Sequence, residues 1–367
     1  MKIGFDIRFF DDGLYAQFVE KLICKFVQSQ DHNSYVLYTN KNRESFENIK
    51  NLEQCIVSFG YGSIKEQIYF PKILQNHHCD VTVFFQPCIP YFFSGKNIIF
   101  VEHLKNIYYQ NFSHTLLKHM YLFGVEKSFS KAQTVLCFEE NTQKELTERF
   151  DINGDKISIV PGFFPQEQTK KKGKNLVQTN ILNKYHIKND FILYAGGNGI
   201  EKNLEKLVHT ITKIDQTQKN IDIVFLGDNV AKNISLRDTI LKEKLEKKCH
   251  FVGDLNEEEK KSFYETSCGV VFPSLYESFC FELFDALNYG VPILSSNIEN
   301  LEKILGKHVS YFSPLSRSSM NRALSHFLEK NIDKCDYNSI FKVYNCDKTL
   351  TRFSSIIQQV GNSPKEI

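Results

Sequence analysis

No tryptophan occurs in the sequence, and no two of its ten cysteines form a CxxC pair. Structural metal sites need ligands at close spacing, and disulfide scaffolds are usually short secreted chains, so this 367-residue sequence favours neither class. Several cysteines lie in apolar runs, as Cys137 does in residues 135–138. We therefore interpret the cysteines as reduced and mostly buried thiols.

A strong charge of either sign and long hydrophobic runs are also missing. The 45 basic and 43 acidic side chains leave a formal net charge of +2, whereas proteins that neutralise nucleic-acid phosphates need a marked basic excess. No apolar run approaches the roughly 20 residues of a membrane span. Asp6 and Arg8 interrupt the apolar start, which argues against a signal peptide. These absences predict a soluble, cytoplasmic protein that does not bind nucleic acid.

Short apolar runs alternate with segments of helical periodicity along the whole chain. In the first half, the pattern predicts strands at 2–5, 34–39, 81–85, 98–101, 134–138 and 157–160, with helices at 14–28, 116–129 and 142–150. In the second half, it predicts strands at 191–195, 221–226, 250–252, 269–272 and 291–294, with helices at 203–213, 236–247, 257–266 and 347–360. Such alternation is typical of α/β domains with parallel sheets and right-handed crossovers.

A break in this pattern near mid-chain predicts two domains. Residues 161–175 contain Pro161, Gly162, Pro165 and a lysine-rich run, a composition typical of a linker. We predict domains at 1–172 and 173–345, and a C-terminal helix within 346–367 that returns to the first domain. Two such α/β domains leave a cleft between them, and clefts of this kind are preferred ligand sites.

The densest motif is PSLYESFCFELFDALNYGVP, residues 273–292. The pattern predicts that a strand ends at Pro273, that Glu277 lies in a short loop and that a helix begins at about Phe281. Gly290 and Pro292 then end that helix. Because the free N–H groups of a helix N-terminus attract negative charge, this arrangement suits a phosphate or sugar hydroxyls.

A second motif, YAGGNGIEKNL at residues 194–204, predicts a strand, a glycine turn and a helix. Gly197 and Gly199 begin a GxGxxG pattern of the dinucleotide-binding kind. Lys202 stands at the third glycine position, however, and a lysine cannot give the close helix–strand packing that this glycine allows. The second motif therefore does not indicate a dinucleotide site.

Together the two motifs resemble those of the group 1 (family 4) retaining glycosyltransferases of the GT-B fold. The family pattern has two glutamates separated by seven residues, within a stretch close to E-G-F-G-L-P-x-x-E-A. Here Glu277 is followed, after seven residues, by Asp285, and Phe279 stands at the family's phenylalanine. The resemblance extends from Lys2 to about Leu315. It implies two Rossmann-like domains facing across a cleft, the first on the acceptor side and the second binding a nucleotide sugar.

The resemblance also implies roles for individual residues. Glu277 is expected to contact the donor sugar, Asp285 to hold the ribose of the nucleotide, and Lys202 to grip the donor diphosphate. His103 is the second catalytic candidate, because Glu102-His103-Leu104 lines up best with a His-Asp-Leu segment of the family. The remaining donor-binding candidates are Phe279, Cys280, Phe281, Gly197 and Gly13.

Several positions depart from the family pattern. Glu201 replaces an arginine, Glu282 replaces a proline, and Ser278 and Cys280 replace two glycines. An added carboxylate about 8 Å from a phosphate costs about 2 kcal/mol at an effective dielectric constant near 20. This cost would weaken donor binding roughly thirty-fold without abolishing it.

No DxD triplet, which would hold a divalent ion on a diphosphate, occurs in the sequence. The resemblance therefore implies a metal-independent, retaining hexosyltransferase that moves a sugar from a nucleotide-diphosphate sugar to a glycan or lipid-linked acceptor. It further implies a part in polysaccharide biosynthesis. Residues 108–129, with Lys118, His119 and Lys127 among aromatic side chains, suggest peripheral contact with the inner face of a membrane, and a helix packed in the core is the favoured alternative. Two alternatives remain open: a catalytically inactive GT-B relative acting as a binding or partner subunit, and a sugar-nucleotide epimerase.

Overall fold

The computed structural model describes residues 1–8, 13–59, 63–105, 115–164, 181–215, 220–253, 255–329 and 335–364. The chain divides into two compact units. Unit 1 consists of Met1–Phe163 and Tyr344–Ile367, and unit 2 of Phe164–Val343. The predicted boundary at 172/173 lies outside the described residues.

Each unit is built on one parallel sheet. The seven-stranded sheet of unit 1 has the order β3-β2-β1-β4-β5-β6-β7, and the six-stranded sheet of unit 2 has the order β10-β9-β8-β11-β12-β13. The strands are β1 Lys2–Asp6, β2 Ser34–Thr39, β3 Leu52–Ile56, β4 Val81–Phe84, β5 Asn97–Val101, β6 Thr134–Cys137, β7 Ile157–Ile159, β8 Asp190–Ala195, β9 Ile221–Leu226, β10 Cys249–Val252, β11 Gly269–Phe272, β12 Ile293–Ser296 and β13 Ser310–Phe312. The strand order of each sheet reverses once, between β1 and β4 and between β8 and β11, as in Rossmann-like folds.

Helices connect the strands in both units. They are α1 Leu14–Ser29, α2 Ile64–Asn76, α3 Thr115–Lys131, α4 Glu140–Phe150, α5 Leu204–Asp215, α6 Asp228–Ala231, α7 Ile234–Lys242, α8 Glu257–Thr266, α9 Leu283–Tyr289, α10 Glu299–Leu305, α11 Arg317–Glu329, α12 Asn338–Val343 and α13 Cys346–Asn362. Within the part of the chain that the structure describes, none of the helices has both the length and the apolar character needed to cross a membrane.

The predicted α/β alternation is confirmed, with local differences that have physical causes. β3 was not predicted, because this edge strand is only half-buried and has no continuous apolar run. The strand expected at 291–294 begins at Ile293, since the Val291 N–H still donates to the Ala286 carbonyl at the end of α9. The helix expected at 236–247 ends at Lys242, before Lys244 adopts a left-handed φ of 58°.

The C-terminal helix α13 contributes to the core of unit 1. The ring of Phe353, fully buried on this helix, lies 5.4 Å from that of Phe26 on α1 in an edge-to-face arrangement. It also lies 6.3 Å from the ring of Phe100 on β5. The helix therefore completes the aromatic core that the N-terminal part of the chain begins.

The ten cysteines are free thiols, as the sequence predicts. Burial is the main cause that raises the pKa of Cys137 and of Cys249 to about 12. These thiols are therefore neutral near pH 7 and act as small apolar side chains.

Candidate active site

The two sequence motifs meet at the reversal of strand order in unit 2. The 194–204 motif spans the end of β8 and the loop that follows it, and the 273–292 motif begins directly after β11. β8 and β11 are neighbouring parallel strands, so their carboxyl ends lie at the same edge of the sheet. Ligands of open α/β sheets bind at this position, because the loops diverge there and leave a crevice.

The loop after β8 places Lys202 at the end of a short three-ten turn, Ile200–Lys202. Gly199 leaves room for the Glu201 side chain before this turn, because a Cβ there would lie 2.1 Å from a carboxylate oxygen of Glu201 and that side chain would have to shift. The turn ends at Asn203, which adopts a left-handed φ of 58° that asparagine tolerates. The phenol of Tyr194 donates to the Gly197 carbonyl over 2.6 Å and fixes the start of the loop.

Three hydrogen bonds fix this loop, two of them to the loop after β11 and one to Pro314, which follows β13. The Asn203 amide donates to the carbonyl of Pro273 over 3.0 Å and to that of Pro314 over 3.2 Å. The Leu275 N–H donates to the Glu201 carbonyl over 2.7 Å. Because the two contacts with the loop after β11 use backbone atoms next to the site, they set the distance between Lys202 and the loop that carries Glu277.

An ammonium between two carboxylates forms the centre of the site, and we call Lys202, Glu277 and Glu282 the lysine cluster. The Lys202 Nζ lies 2.7 Å from Glu277 Oε1 and 2.9 Å from Glu282 Oε1. The side chains of these three residues are 7%, 9% and 19% exposed, in the order lysine, Glu277, Glu282. The Ser274 hydroxyl donates to Glu277 Oε1 over 2.6 Å, and the Cys280 thiol lies 3.6 Å from Glu282 Oε2.

The charges of the lysine cluster strongly perturb each other. Burial alone would lower the pKa of Lys202, but the charges of Glu277 and Glu282 outweigh it and hold that pKa well above its usual value. Burial raises the pKa of Glu277; Lys202 opposes this shift and the charge of Glu282 adds to it. Burial and the two carboxylates raise the pKa of the Cys280 thiol, so it remains neutral. The lysine cluster therefore contains one cation and two carboxylates, and its net charge is negative.

The helix that follows begins later than the sequence predicts. α9 starts at Leu283 rather than at Phe281, because a turn precedes it. In that turn, the N–H groups of Leu283 and Phe284 donate to the carbonyls of Cys280 and Phe281 over 3.1 and 3.0 Å. These two amides are therefore already bonded, and Lys202 is the cationic group that this loop region presents.

Asp285 lies apart from the contacts of Lys202. Its Oδ2 is 3.2 Å from the Nζ of Lys260 on α8. Phe279 and Phe281 are 4% and 7% exposed and pack into unit 2. The ring of Phe279 stacks on that of Phe164 at 4.7 Å and contacts that of Phe281 at 5.0 Å. The predicted roles of these three residues toward a donor stay predictions.

The two candidates from the first half of the chain lie in unit 1. Gly13 is the N-cap of α1, and its carbonyl accepts the Gln17 N–H over 3.0 Å. Among the described residues that are not its chain neighbours, none has an atom within 4 Å of a Cβ built at Gly13. His103 is half-buried, with its Nε2 3.4 Å from Glu102 Oε2. The predicted roles of Gly13 and His103 also stay predictions.

Sequence reasoning missed residues that hold the predicted ones in place. Ser274 lay within the quoted motif, but only the structure shows its hydroxyl on Glu277. Asn300 lies 23 positions after Glu277 in the sequence, and its amide donates to the Glu277 carbonyl over 2.7 Å. No feature of the sequence indicated this contact. Lys260, the partner of Asp285, was not predicted because it occupies an ordinary position on a polar helix.

The side chains of the site include atoms that could act as metal ligands. Among the described residues, ligand atoms of Glu277, Cys280 and Glu282 lie within 4.8 Å of one another. The Lys202 ammonium, within 2.9 Å of both carboxylates, already supplies a positive charge to them. The expectation that no metal is needed stays a prediction.

Comparison with protein families connects the site to known proteins. Residues 177–339 match the family model for glycosyl transferases group 1. The serotype-specific mannosyltransferase WbdA of Escherichia coli is 23% identical over 203 residues, which are 54% of this chain and 25% of WbdA. The O-antigen chain mannosyltransferase RfbU of Salmonella typhimurium is 22% identical over 266 residues, 72% of this chain and 68% of RfbU. The chain thus spans about a quarter of WbdA and about two thirds of RfbU.

Solved structures show the same fold. HepE of Anabaena, in complex with UDP-glucose, superimposes with a TM-score of 0.72 at 10% sequence identity, covering 98% of this chain and 100% of HepE. At this identity the likeness establishes the fold, and the fold is GT-B.

Proposed function

We propose that the chain is a group 1 glycosyl transferase, the family whose model matches residues 177–339, and that it transfers a sugar from a nucleotide-diphosphate sugar to a glycan or lipid-linked acceptor. The proposal includes retention of the anomeric configuration and independence of metal ions. Polysaccharide assembly is the process we propose, since the relatives WbdA and RfbU are named as serotype-specific and O-antigen mannosyltransferases.

The position of the lysine cluster is the observation that carries this proposal. Lys202 and Glu277 follow the two strands that flank the strand-order reversal, and their charged atoms are 2.7 Å apart. A cation beside a carboxylate at this edge can bind a diphosphate and a sugar hydroxyl at neighbouring positions. Lysine binds phosphate as a compact point charge that can exchange partners.

In the proposed reaction, the acceptor hydroxyl attacks the anomeric carbon on the face that the nucleotide leaves. The bond between that carbon and the diphosphate oxygen breaks, and the acceptor proton leaves with the nucleoside diphosphate. Lys202 stabilises the negative charge that develops on the departing diphosphate. Glu277, oriented by Ser274 and Asn300, accepts hydrogen bonds from the donor sugar and fixes its position.

A nucleotide-sugar panel tests this function directly. Thermal unfolding of the whole chain is measured with UDP-, GDP- and ADP-sugars, and a sugar that raises the melting temperature is then used for transfer. We expect Glu277→Gln to reduce transfer at least about a hundredfold, because a positioned charge at the reaction centre is lost. The matched control is Glu258→Gln on exposed α8 surface, which removes the same charge. Unchanged turnover in Glu277→Gln would reject the assignment.

A surface of unit 1 supports the proposal that the acceptor is linked to a lipid. A cavity of about 390 Å³ is lined in part by Tyr91, Met120, Lys127 and Lys131. Tyr91 and Met120 are 48% and 62% exposed. An apolar lining beside lysines fits an anionic lipid-linked acceptor at the inner face of a membrane. The transfer assay therefore compares acceptor in anionic vesicles with the same acceptor in neutral vesicles, where we expect the lower rate. Equal rates would count against membrane contact.

A binding subunit without catalysis is the second candidate, and the same cluster favours it. Two carboxylates already neutralise Lys202 and leave a net charge of −1 where a diphosphate would bind. Calorimetric titration with UDP, GDP and ADP separates the two functions. A catalyst binds one of these products, whereas a subunit that has lost the donor site binds none.

A further inference from the structure

The two carboxylates of the lysine cluster are held unequally. Lys202 and Ser274 contact Glu277 Oε1, and Asn300 holds the backbone carbonyl of the same residue. Glu282 is about twice as exposed as Glu277, and its Oε2 faces the thiol of Cys280, a weak donor. The greater exposure of Glu282 makes it the partner of the ammonium that solvent or a ligand reaches more easily.

We propose that Glu282 is a displaceable counter-ion that occupies the phosphate position of Lys202 until a nucleotide diphosphate replaces it. This inference rests on the proposed function, since it assigns the same ammonium to a diphosphate. It makes Glu282 a residue that sets donor affinity, at a position where the family pattern has proline.

Charge balance explains why displacement is needed. One ammonium and two carboxylates sum to −1, so a diphosphate that approached with Glu282 in place would meet a net repulsion. If Glu282 turns away, the remaining pair of Lys202 and Glu277 is neutral and the ammonium can attract phosphate. Burial strengthens both effects, because the side chain of Lys202 is only 7% exposed.

The backbone permits this exchange without a change of fold. Glu282 is the N-cap residue of α9 with φ −62° and ψ −20°, an ordinary helical conformation. No backbone strain therefore ties the carboxylate to Lys202, and we expect the exchange to occur by rotation about the side-chain bonds of Glu282. At the start of a helix, a carboxylate keeps a favourable interaction with the helix dipole.

Glu282→Gln tests the proposal, because it removes the charge and keeps the shape. The affinities of the whole chain for UDP, GDP and ADP are measured by calorimetry for the wild type, Glu282→Gln and the charge-matched control Glu258→Gln. We expect Glu282→Gln to bind the preferred diphosphate about tenfold more tightly or better, with no change in Glu258→Gln. The corresponding nucleoside, which has no phosphate, should bind equally to all three proteins.

A double-mutant cycle shows whether Glu282 acts through the lysine. In a Lys202→Ala background, the gain in diphosphate affinity from Glu282→Gln should be clearly smaller than in the wild type, because direct repulsion by the carboxylate remains but competition for the ammonium is gone. A gain as large there as in the wild type, or a Glu282→Gln protein that binds diphosphate no tighter than the wild type, would overturn this inference and leave the proposed function standing. If neither the folded wild type nor the folded Glu282→Gln protein binds any of the three diphosphates, the proposed function fails and the inference falls with it.

Discussion

Each unit of the molecule places one cation between two carboxylates at the end of its first strand. In unit 1, Arg8 follows β1, with its Nε 2.8 Å from Asp6 Oδ1 and its Nη2 3.0 Å from Asp6 Oδ2. The same Nη2 lies 2.8 Å from Glu66 Oε1 on α2. In unit 2, Lys202 follows β8, which holds the corresponding place in its sheet.

The arginine group and the lysine cluster have the same formal charge, but their cations differ in how tightly the carboxylates hold them. The side chains of Arg8, Asp6 and Glu66 are at most 3% exposed, and the guanidinium carbon lies 3.4 Å above the ring of Phe70. A planar guanidinium that holds one carboxylate with two hydrogen bonds and stacks on an aromatic ring exchanges partners with difficulty. The lysine cluster uses single contacts and leaves one carboxylate 19% exposed. We infer that the arginine group fixes β1 to α2, whereas the lysine cluster is arranged to accept a ligand.

The largest expected effect is on stability, from Arg8→Ala. This change leaves Asp6 and Glu66 buried without their cation, and breaking a buried ion pair costs about 3–5 kcal/mol. Urea unfolding should therefore begin at clearly lower concentration, whereas the affinity of the folded protein for a nucleoside diphosphate should not change. The control Arg352→Ala, on the exposed surface of α13, should stay within about 0.5 kcal/mol of the wild type. An Arg8→Ala protein as stable as the wild type would show that the arginine group is not a structural element.

The next effect is on binding, from Lys202→Ala. Hydrogen bonds to charged groups contribute about 1.5–3 kcal/mol, so the affinity for the preferred nucleoside diphosphate should fall roughly ten- to hundredfold. Lys242→Ala, at the exposed end of α7, removes a lysine of the same unit without this effect. Calorimetry on both variants gives the comparison. If Lys202→Ala binds diphosphate like the wild type, the ammonium has no phosphate role and the contrast with Arg8 disappears.

The sequence predicted the strands that position the two charged groups better than it predicted the contacts within those groups. Buried parallel strands are continuous apolar runs, so β2 and β11 were predicted with their observed limits. The edge strand β3 lacks such a run and was missed. The family resemblance assigned both Lys202 and Glu277 to the donor, and the structure brings them together because both come after strands next to the reversal of order.

The ion-pair geometry of the site could not be read from the sequence. Lys202 is 75 and 80 positions from its two carboxylate partners, and side-chain rotamers decide which oxygens it contacts. Family patterns give no guide to Glu282, which stands where the pattern has proline. Asn300 contacts a backbone carbonyl, and such a contact leaves no signal in the identity of its partner. Local periodicity thus predicts elements, whereas long-range polar contacts need the folded chain.

The smallest expected effect is a shift in the pH dependence of transfer. The charge of Glu282 contributes to the raised pKa of Glu277, so Glu282→Gln should lower that pKa. Transfer needs the Glu277 carboxylate ionised, and activity is therefore lost as the pH falls through this pKa, at a pH above the ordinary glutamate value. In Glu282→Gln, the acid limb of kcat/KM should therefore move to lower pH. Lys202 stays charged throughout this range because its own pKa is raised.

The control for this pH shift is Glu258→Gln. Since that variant leaves the lysine cluster intact, its pH profile should match the wild type. An acid limb that moves upward or stays in place in Glu282→Gln would contradict the interaction between the two carboxylates, and with it the contrast between a cluster that accepts a ligand in unit 2 and a fixed arginine group in unit 1.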